Sequence, residues 1–174
     1  MMSLEDLKKK LIKLGIVVKK KKKISLKGGI ISGIYFDVKK AYGCPEIRKI
    51  LAEEICKKLS SDITCIAATG CGGIPLATEI SSKYGLKLSI VRTELKGYGL
   101  NKMIECYVPT KDDIVAIVDD VVTEGTSINE VITTLKPRTN IEGCYVVIKR
   151  DDATIKSPLS NYKLDYLFEG KSFS

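Results

Sequence analysis

Apolar residues recur along this chain in two rhythms. Leu4, Leu7, Leu11 and Leu14 stand at helical spacing behind a capping-box-like Ser3 and Asp6, and Gly15 follows them, so a helix is predicted at the start of the chain. Shorter, nearly continuous apolar runs come next. Strands are expected at 24–26 and 34–38, either side of a Gly28-Gly29 turn, then at 63–68, 88–91, 114–118 and 144–148. Helical segments separate the later strands: 45–59, which opens on Pro45, a stretch from the cluster Gly70, Gly72 and Gly73 to about Tyr84, and 125–135. Residues 93–105 are polar and broken by glycine. Continuous apolar strands alternating with helices predict an α/β fold with a mainly parallel sheet covered on both faces. A chain of 174 residues suits one such domain, which can bury about two-thirds of its unfolded surface.

Charge changes this picture only locally. The net charge of +8 suggests a nucleic-acid partner until it is located: residues 1–23 hold nine lysines against Glu5 and Asp6, and the remaining 20 basic and 19 acidic residues nearly cancel. Residues 19–23 are five consecutive lysines without an interleaved aromatic ring, as a single-strand binder requires; they are expected as a solvated turn leading into a strand, with no nucleic-acid partner. No run of 18 apolar residues occurs, and MMSLEDLKKK lacks the apolar core of a secretory signal, so no membrane association is expected. Six scattered cysteines without C-x-x-C spacing argue against a zinc site or redox dithiol. Cys65 and Cys144 read as core thiols of a reducing, cytoplasmic compartment. There is no histidine, so acid–base chemistry must rest on carboxylates, lysines, tyrosines or the substrate.

The segment most suited to chemistry is Ile114-Val-Ala-Ile-Val-Asp119-Asp120-Val121-Val122-Thr123-Glu124-Gly125-Thr126-Ser127. Two adjacent carboxylates end an apolar strand, and a small-residue loop then leads into a helix. Unpaired N–H groups and the partial positive charge of a helix N-terminus suit a phosphate monoester. Gly125 lets the backbone curl close to it, and Thr123, Thr126 and Ser127 add hydroxyl donors. Asp119 and Asp120 would repel phosphate. Vicinal ribose hydroxyls and positive charge developing on the sugar suit them better.

At these residues the chain resembles the type I phosphoribosyltransferases, whose loop for 5-phosphoribosyl-1-pyrophosphate (PRPP) reads like VDDVVTEGTS. Three further segments resemble the orotate phosphoribosyltransferases within that family. Leu26-Lys27-Gly28-Gly29 with Ser32-Gly33-Ile34-Tyr35-Phe36-Asp37 is similar to LKSG…SPxYxD, Arg92-Thr93-Glu94-Leu95-Lys96-Gly97-Tyr98-Gly99 to the mobile loop RKExKD(H/Y)G, and Lys149-Arg150-Asp151 to a late DR segment. The resemblance implies one domain over 1–174, with a small N-terminal hood at 1–40, a core sheet flanked by helices at 41–150, and a mobile loop at 93–105. It implies transfer of phosphoribose from PRPP to orotate, giving orotidine 5′-monophosphate and pyrophosphate in pyrimidine biosynthesis. By the same resemblance Asp119 and Asp120 hold the ribose hydroxyls and residues 123–127 the 5′-phosphate, with Val121 and Val122 also at the PRPP site. Lys27, Tyr35, Phe36, Thr123 and Arg150 form the orotate pocket, while Arg92, Lys96 and Tyr98 meet the pyrophosphate and the Gly70–Gly73 turn lies beside it. Mg²⁺ is implied, held mainly through PRPP, as is a homodimer in which Lys96 acts across the interface. Asp120 and Lys96 are expected in solvent-accessible loops.

The chain departs from the pattern at Thr93, where a second lysine is usual, at Gly97, where the usual residue is Asp, and at Gly28 and Gly33, for Ser and Pro. Two other readings share the PRPP loop. One is a phosphoribosyltransferase for a purine or another pyrimidine. The other is a non-catalytic nucleotide-sensing regulator. Lys27 and Arg150 favour an anionic base, and the complete acid pair with Lys96 favours an enzyme.

Overall fold

A computed structural model of the chain describes residues 2–25, 31–93 and 102–173, and the side chains of all of these except 20–25 and 31–33. Helix α1 (Leu4–Lys13) begins as its cap predicts, with Ser3 Oγ accepting the Asp6 N–H at 3.1 Å. It ends at Leu14, before Gly15 in the left-handed region. Only the Leu7 and Leu11 face is buried; Leu4 and Leu14 stay exposed.

Strands β1 (Val17–Ser25) and β2 (Ile31–Phe36) form a separate antiparallel pair. The lysine run therefore lies in a strand and not in a turn. Backbone pairing holds the run at both ends, Val17 with Phe36 and Lys19 with Ile34 on one side and Ile24 with Ser32 on the other. The register shifts between Lys19 and Ile24. Beyond β2 come the one-turn helix α2 (Lys39–Tyr42) and helix α3 (Pro45–Cys56), which opens on its proline.

The main sheet is built from β3 (Cys65–Ala68), helix α4 (Gly70–Tyr84), β4 (Lys87–Val91), β5 (Ile104–Cys106), β6 (Ile114–Val122), helix α5 (Thr126–Leu135), β7 (Asn140–Lys149) and β8 (Lys163–Glu169). Its order is β5-β4-β3-β6-β7-β8, parallel except for the β4–β5 pair. Successive residues of the central strands face opposite layers. Ile66, Ala68, Ala116, Val118, Tyr145 and Val147 pack in one core with α1 to α4, while Cys65, Ala67, Val115, Ile117, Cys144 and Val146 pack against α5. Both faces are thus covered, which is why these strands read as unbroken apolar runs.

The main sheet also differs from the sequence expectation, most clearly at three strands. Strand β6 does not stop at Val118 but continues through both aspartates to Val122, because β7 pairs with it as far as Val122–Lys149. Strand β5 begins within the segment expected to be irregular, and β8 extends the sheet where no strand was expected. Both are edge strands with weak apolar patterning, so only their neighbours define them.

At the opposite end of β6 from the aspartates, Asp113 is nearly inaccessible and accepts from Lys87 Nζ at 2.8 Å, Thr64 Oγ1 at 2.9 Å, Tyr107 OH at 2.8 Å and the Thr110 N–H at 2.9 Å. Burial alone would raise its carboxyl. These donors outweigh burial and hold it well below the usual carboxylate range. A depressed folded-state value stabilises the fold above the unfolded carboxylate value, about 4, and that contribution fades as pH falls below it. Asp113→Asn is expected to cost about 2–3 kcal/mol at pH 7 by leaving buried donors poorly matched. Denaturant unfolding at pH 7 and pH 3 checks this: the gap between the two proteins should narrow at the lower pH, and an unchanged gap would refute the linkage.

Candidate active site

In the order β5-β4-β3-β6-β7-β8 the chain leaves β3 toward one edge, through β4 and β5, and returns to β3's other side as β6. The carboxyl ends of β3 and β6 therefore flank the point where winding reverses, the position where open α/β sheets bind ligands. An open cleft of about 350 Å³ lies there. Its floor is Asp119 to Thr123, one wall Gly125 to Ile128, another Thr69 to Gly72, and the last Tyr35, Phe36, Lys39 and Arg150.

Strand β3 pairs with β6 only as far as Ala67–Ile117, so Asp119 and Asp120 overhang the end of β3. The space beside them is taken by the first turn of α4. A Cβ on Gly72 would overlap Asp120 Oδ1 and stand 2.9 Å from Asp119 Oδ1; one on Gly73 would stand 2.7 Å from the Val118 carbonyl oxygen. The glycine cluster is thus the start of a helix, α4, and its lack of side chains lets that helix seat on the acids. The Asp120 N–H donates to Asp119 Oδ1 at 2.9 Å and the Val121 N–H to Asp120 Oδ1 at 2.7 Å. Asp119 is buried and the Asp120 side chain is 13% exposed. The expectation that Asp120 lies in a solvent-accessible loop is corrected: the extended β6 and the helix start enclose it. Burial pushes its carboxyl up, opposed by the Lys39 ammonium and the Val121 N–H.

The loop between β6 and α5 turns at glycine into a helix start. Gly125 adopts φ +83° at the N-cap of α5, and Asn129 N–H closes the first turn on its carbonyl at 2.8 Å. Thr123, Gly125, Thr126 and Ser127 line the cleft. Glu124 does not. It is buried and turned outward to Lys156 Nζ at 2.6 Å, while the Lys156 N–H bonds its carbonyl. The segment beyond β7 braces the loop a second time, since a Cβ on Gly125 would come within 2.5 Å of Leu159 Cδ2.

On the opposite wall Arg150 is buried. Its guanidinium forks onto both carboxylate oxygens of Asp152 at 2.8 Å and donates to the Ile34 carbonyl at 2.8 Å. It also lies 5.7 Å from the Phe36 ring centroid. Phe36 is shared between cleft and core, stacking obliquely on Phe173 at 5.6 Å. Arg92, at the end of β4, pairs with Glu105 at 3.4 Å and is not among the cleft walls described. Lys27, Lys96 and Tyr98 lie outside the described residues. Cys71 lines the cleft within the Gly70–Gly73 cluster, and Lys39 and Thr69 line it although the sequence did not single them out. Lys39 stands only two residues past the Tyr35-Phe36-Asp37 segment, the one sequence signal that pointed toward it.

No protein-family profile matches the chain. It is 31% identical over 154 residues to the orotate phosphoribosyltransferase of Methanothermobacter thermautotrophicus, covering 87% of this chain and 84% of that protein. Its fold superposes on the UMP synthase of Leishmania donovani with a TM-score of 0.82 at 26% identity, over 99% of this chain and 37% of that one. The orotate phosphoribosyltransferase of Aeropyrum pernix superposes with a TM-score of 0.80 at 25% identity, over 96% of this chain and 95% of that one.

Proposed function

The chain belongs to the orotate phosphoribosyltransferase family, and from that premise we infer that it transfers the phosphoribosyl group of PRPP to orotate. The products are orotidine 5′-monophosphate and pyrophosphate, a step of pyrimidine nucleotide biosynthesis. One observation carries the reading: the acid pair at the end of β6 and the N-terminus of α5 open onto one cleft, so a sugar and its 5′-phosphate can be held together. Thr123 and residues 125–127 offer N–H and hydroxyl donors to the phosphate. Asp119 and Asp120 hold the ribose hydroxyls and favour positive charge on the ring as the bond to pyrophosphate lengthens. Tyr35, Phe36, Thr123 and Arg150 seat the base, and Lys27 joins them. Arg92 meets the leaving pyrophosphate with Lys96 and Tyr98. Orotate is an anion near neutral pH, so its nitrogen can attack the anomeric carbon without a general base.

Mg²⁺ belongs to this reading and supplies charge neutralisation on the diphosphate. The donor set fits an ion held chiefly by PRPP oxygens and water, because Asp120 is largely enclosed and already paired with Lys39. A homodimer with Lys96 acting across the interface, and a cytoplasmic setting, complete the proposal. Cys65 and Cys144, buried and unpaired in the core, suit the reducing conditions of that setting. No helix of the described residues is long and apolar enough to cross a membrane.

The test is loss of orotate absorbance with PRPP and Mg²⁺, run beside a panel of purine bases and a chelated control. Orotate consumption that needs the metal supports the reading; consumption of a purine and not orotate overturns the substrate.

A further inference from the structure

Helix α2 joins the β1–β2 pair to the core, and its first residue reaches back into the cleft. Lys39 Nζ donates to the Tyr35 hydroxyl at 3.2 Å and stands 3.3 Å from Asp37 Oδ1 and 3.7 Å from Asp120 Oδ2. It also lies 5.6 Å from the Tyr35 ring centroid. One ammonium therefore touches the base-side wall and the sugar-side acid at once. We propose that Lys39 is a positioning residue that fixes the orientation of Asp120 and ties it to Tyr35. The proposal rests on the phosphoribosyl-transfer reading above.

The two oxygens of Asp120 are in different situations. Oδ1 accepts the Val121 N–H and lies under Gly72, so it is committed to the protein. Oδ2 faces Lys39 at a distance that suits an ion pair but exceeds a good hydrogen bond. Lys39 thus balances the charge of the carboxylate without consuming the lone pairs a sugar hydroxyl needs.

The surroundings make that balance necessary. The charged groups here are Asp119, Asp120, Asp37 and Lys39, with Tyr35 and Tyr42 beside them. Tyr42 is buried, and its hydroxyl has no hydrogen-bond partner among the described residues. Burial and the charges of both aspartates raise its value well above 10, so it stays neutral. Among the described residues Lys39 is the cation that pairs with Asp120. Burial alone would lower the Lys39 ammonium, but Tyr35 and the carboxylates of Asp120 and Asp37 raise it to about 12, so its charge persists at working pH.

Steady-state kinetics on Lys39→Met, Lys39→Arg, Asp120→Asn and the Lys39→Met/Asp120→Asn double variant, with the base that the wild type accepts, test the role. Loss of an interaction that matters only in the transition state lowers kcat and spares KM. Lys39→Met is expected to lower kcat by about 10- to 100-fold with the PRPP KM changed less than about threefold, by analogy with lost electrostatic contacts. Lys39→Arg should recover most of that loss. In the Asp120→Asn background the same Lys39→Met change should cost less than about threefold, because the coupled partner is gone. A KM rise with unchanged kcat would make Lys39 a direct ligand contact and overturn the proposal, as would full additivity in the double variant.

A titration of ¹³C-labelled aspartate carboxyls by NMR judges Lys39 independently of turnover. Removing an opposite charge at this range should move the Asp120 midpoint up by about one pH unit or more, and an unmoved midpoint refutes the pairing. Absence of phosphoribosyl transfer in the wild type would remove the functional reading, while this titration would still decide the role of Lys39.

Discussion

Asp120→Asn is expected to lower kcat for phosphoribosyl transfer by about 10²- to 10³-fold, the loss seen when one pre-placed electrostatic contact to a developing charge is removed. The change is nearly isosteric. An asparagine carbonyl can still accept the Val121 N–H, which Asp120 Oδ1 accepts at 2.7 Å, so the end of β6 should keep its form. What disappears is the negative charge beside the cleft, and with it the attraction for a sugar ring turning cationic. The effect should therefore fall on kcat and leave thermal unfolding little changed. Rates at saturating PRPP and orotate, with melting followed by circular dichroism, measure both. Turnover within threefold of wild type would remove Asp120 from the mechanism. A large drop in melting temperature would mean that its main work is structural.

Arg150→Met should act on the other substrate. The arginine is buried at the end of β7, where its fork onto Asp152 and its bond to the Ile34 carbonyl fasten β2 over the core sheet. Each charge-assisted bond is worth about 1.5–3 kcal/mol. Loss of one such bond to a carboxylate base therefore predicts about a 10-fold or greater rise in the orotate KM. Arg150→Lys should rescue little, since an ammonium cannot supply two parallel donors to Asp152 while also reaching Ile34. Because the same side chain holds β2, a lower melting temperature is expected in both variants. An orotate KM equal to wild type in Arg150→Met, with the melting loss still present, would confine Arg150 to a structural role.

Local patterning went far in this chain. Unbroken apolar runs at β3, β6 and β7 showed strands buried on both faces, because such runs leave no polar face for solvent. The acid pair followed by glycine and hydroxyl residues pointed to the cleft they line, because a helix N-terminus leaves unpaired N–H groups where the strand ends. Weaker elements escaped. Strand β8 and the lysine-rich β1 have only short apolar stretches, Tyr166 to Phe168 and Val17-Val18, and backbone pairing with β7 and β2 makes them strands.

The side chains divided in the same way. Thr123, Thr126 and Ser127 line the cleft as their sequence position suggested, since the turn into α5 fixes their direction locally. Glu124, within the same motif, faces Lys156 from beyond β7 instead. The depth of Asp120 was set by how far β7 carries β6 past the end of β3, and by a glycine helix start small enough to close over it. Its pairing with Lys39 depends on where α2 packs in the core beside α3 and α4. Sequence alone determined which chemical groups this protein has and which backbone elements carry them, because those depend on neighbours along the chain. Which groups stand face to face, how deeply each is buried and which charge balances which were decided only by tertiary structure, because they depend on strand register and packing between residues far apart in sequence.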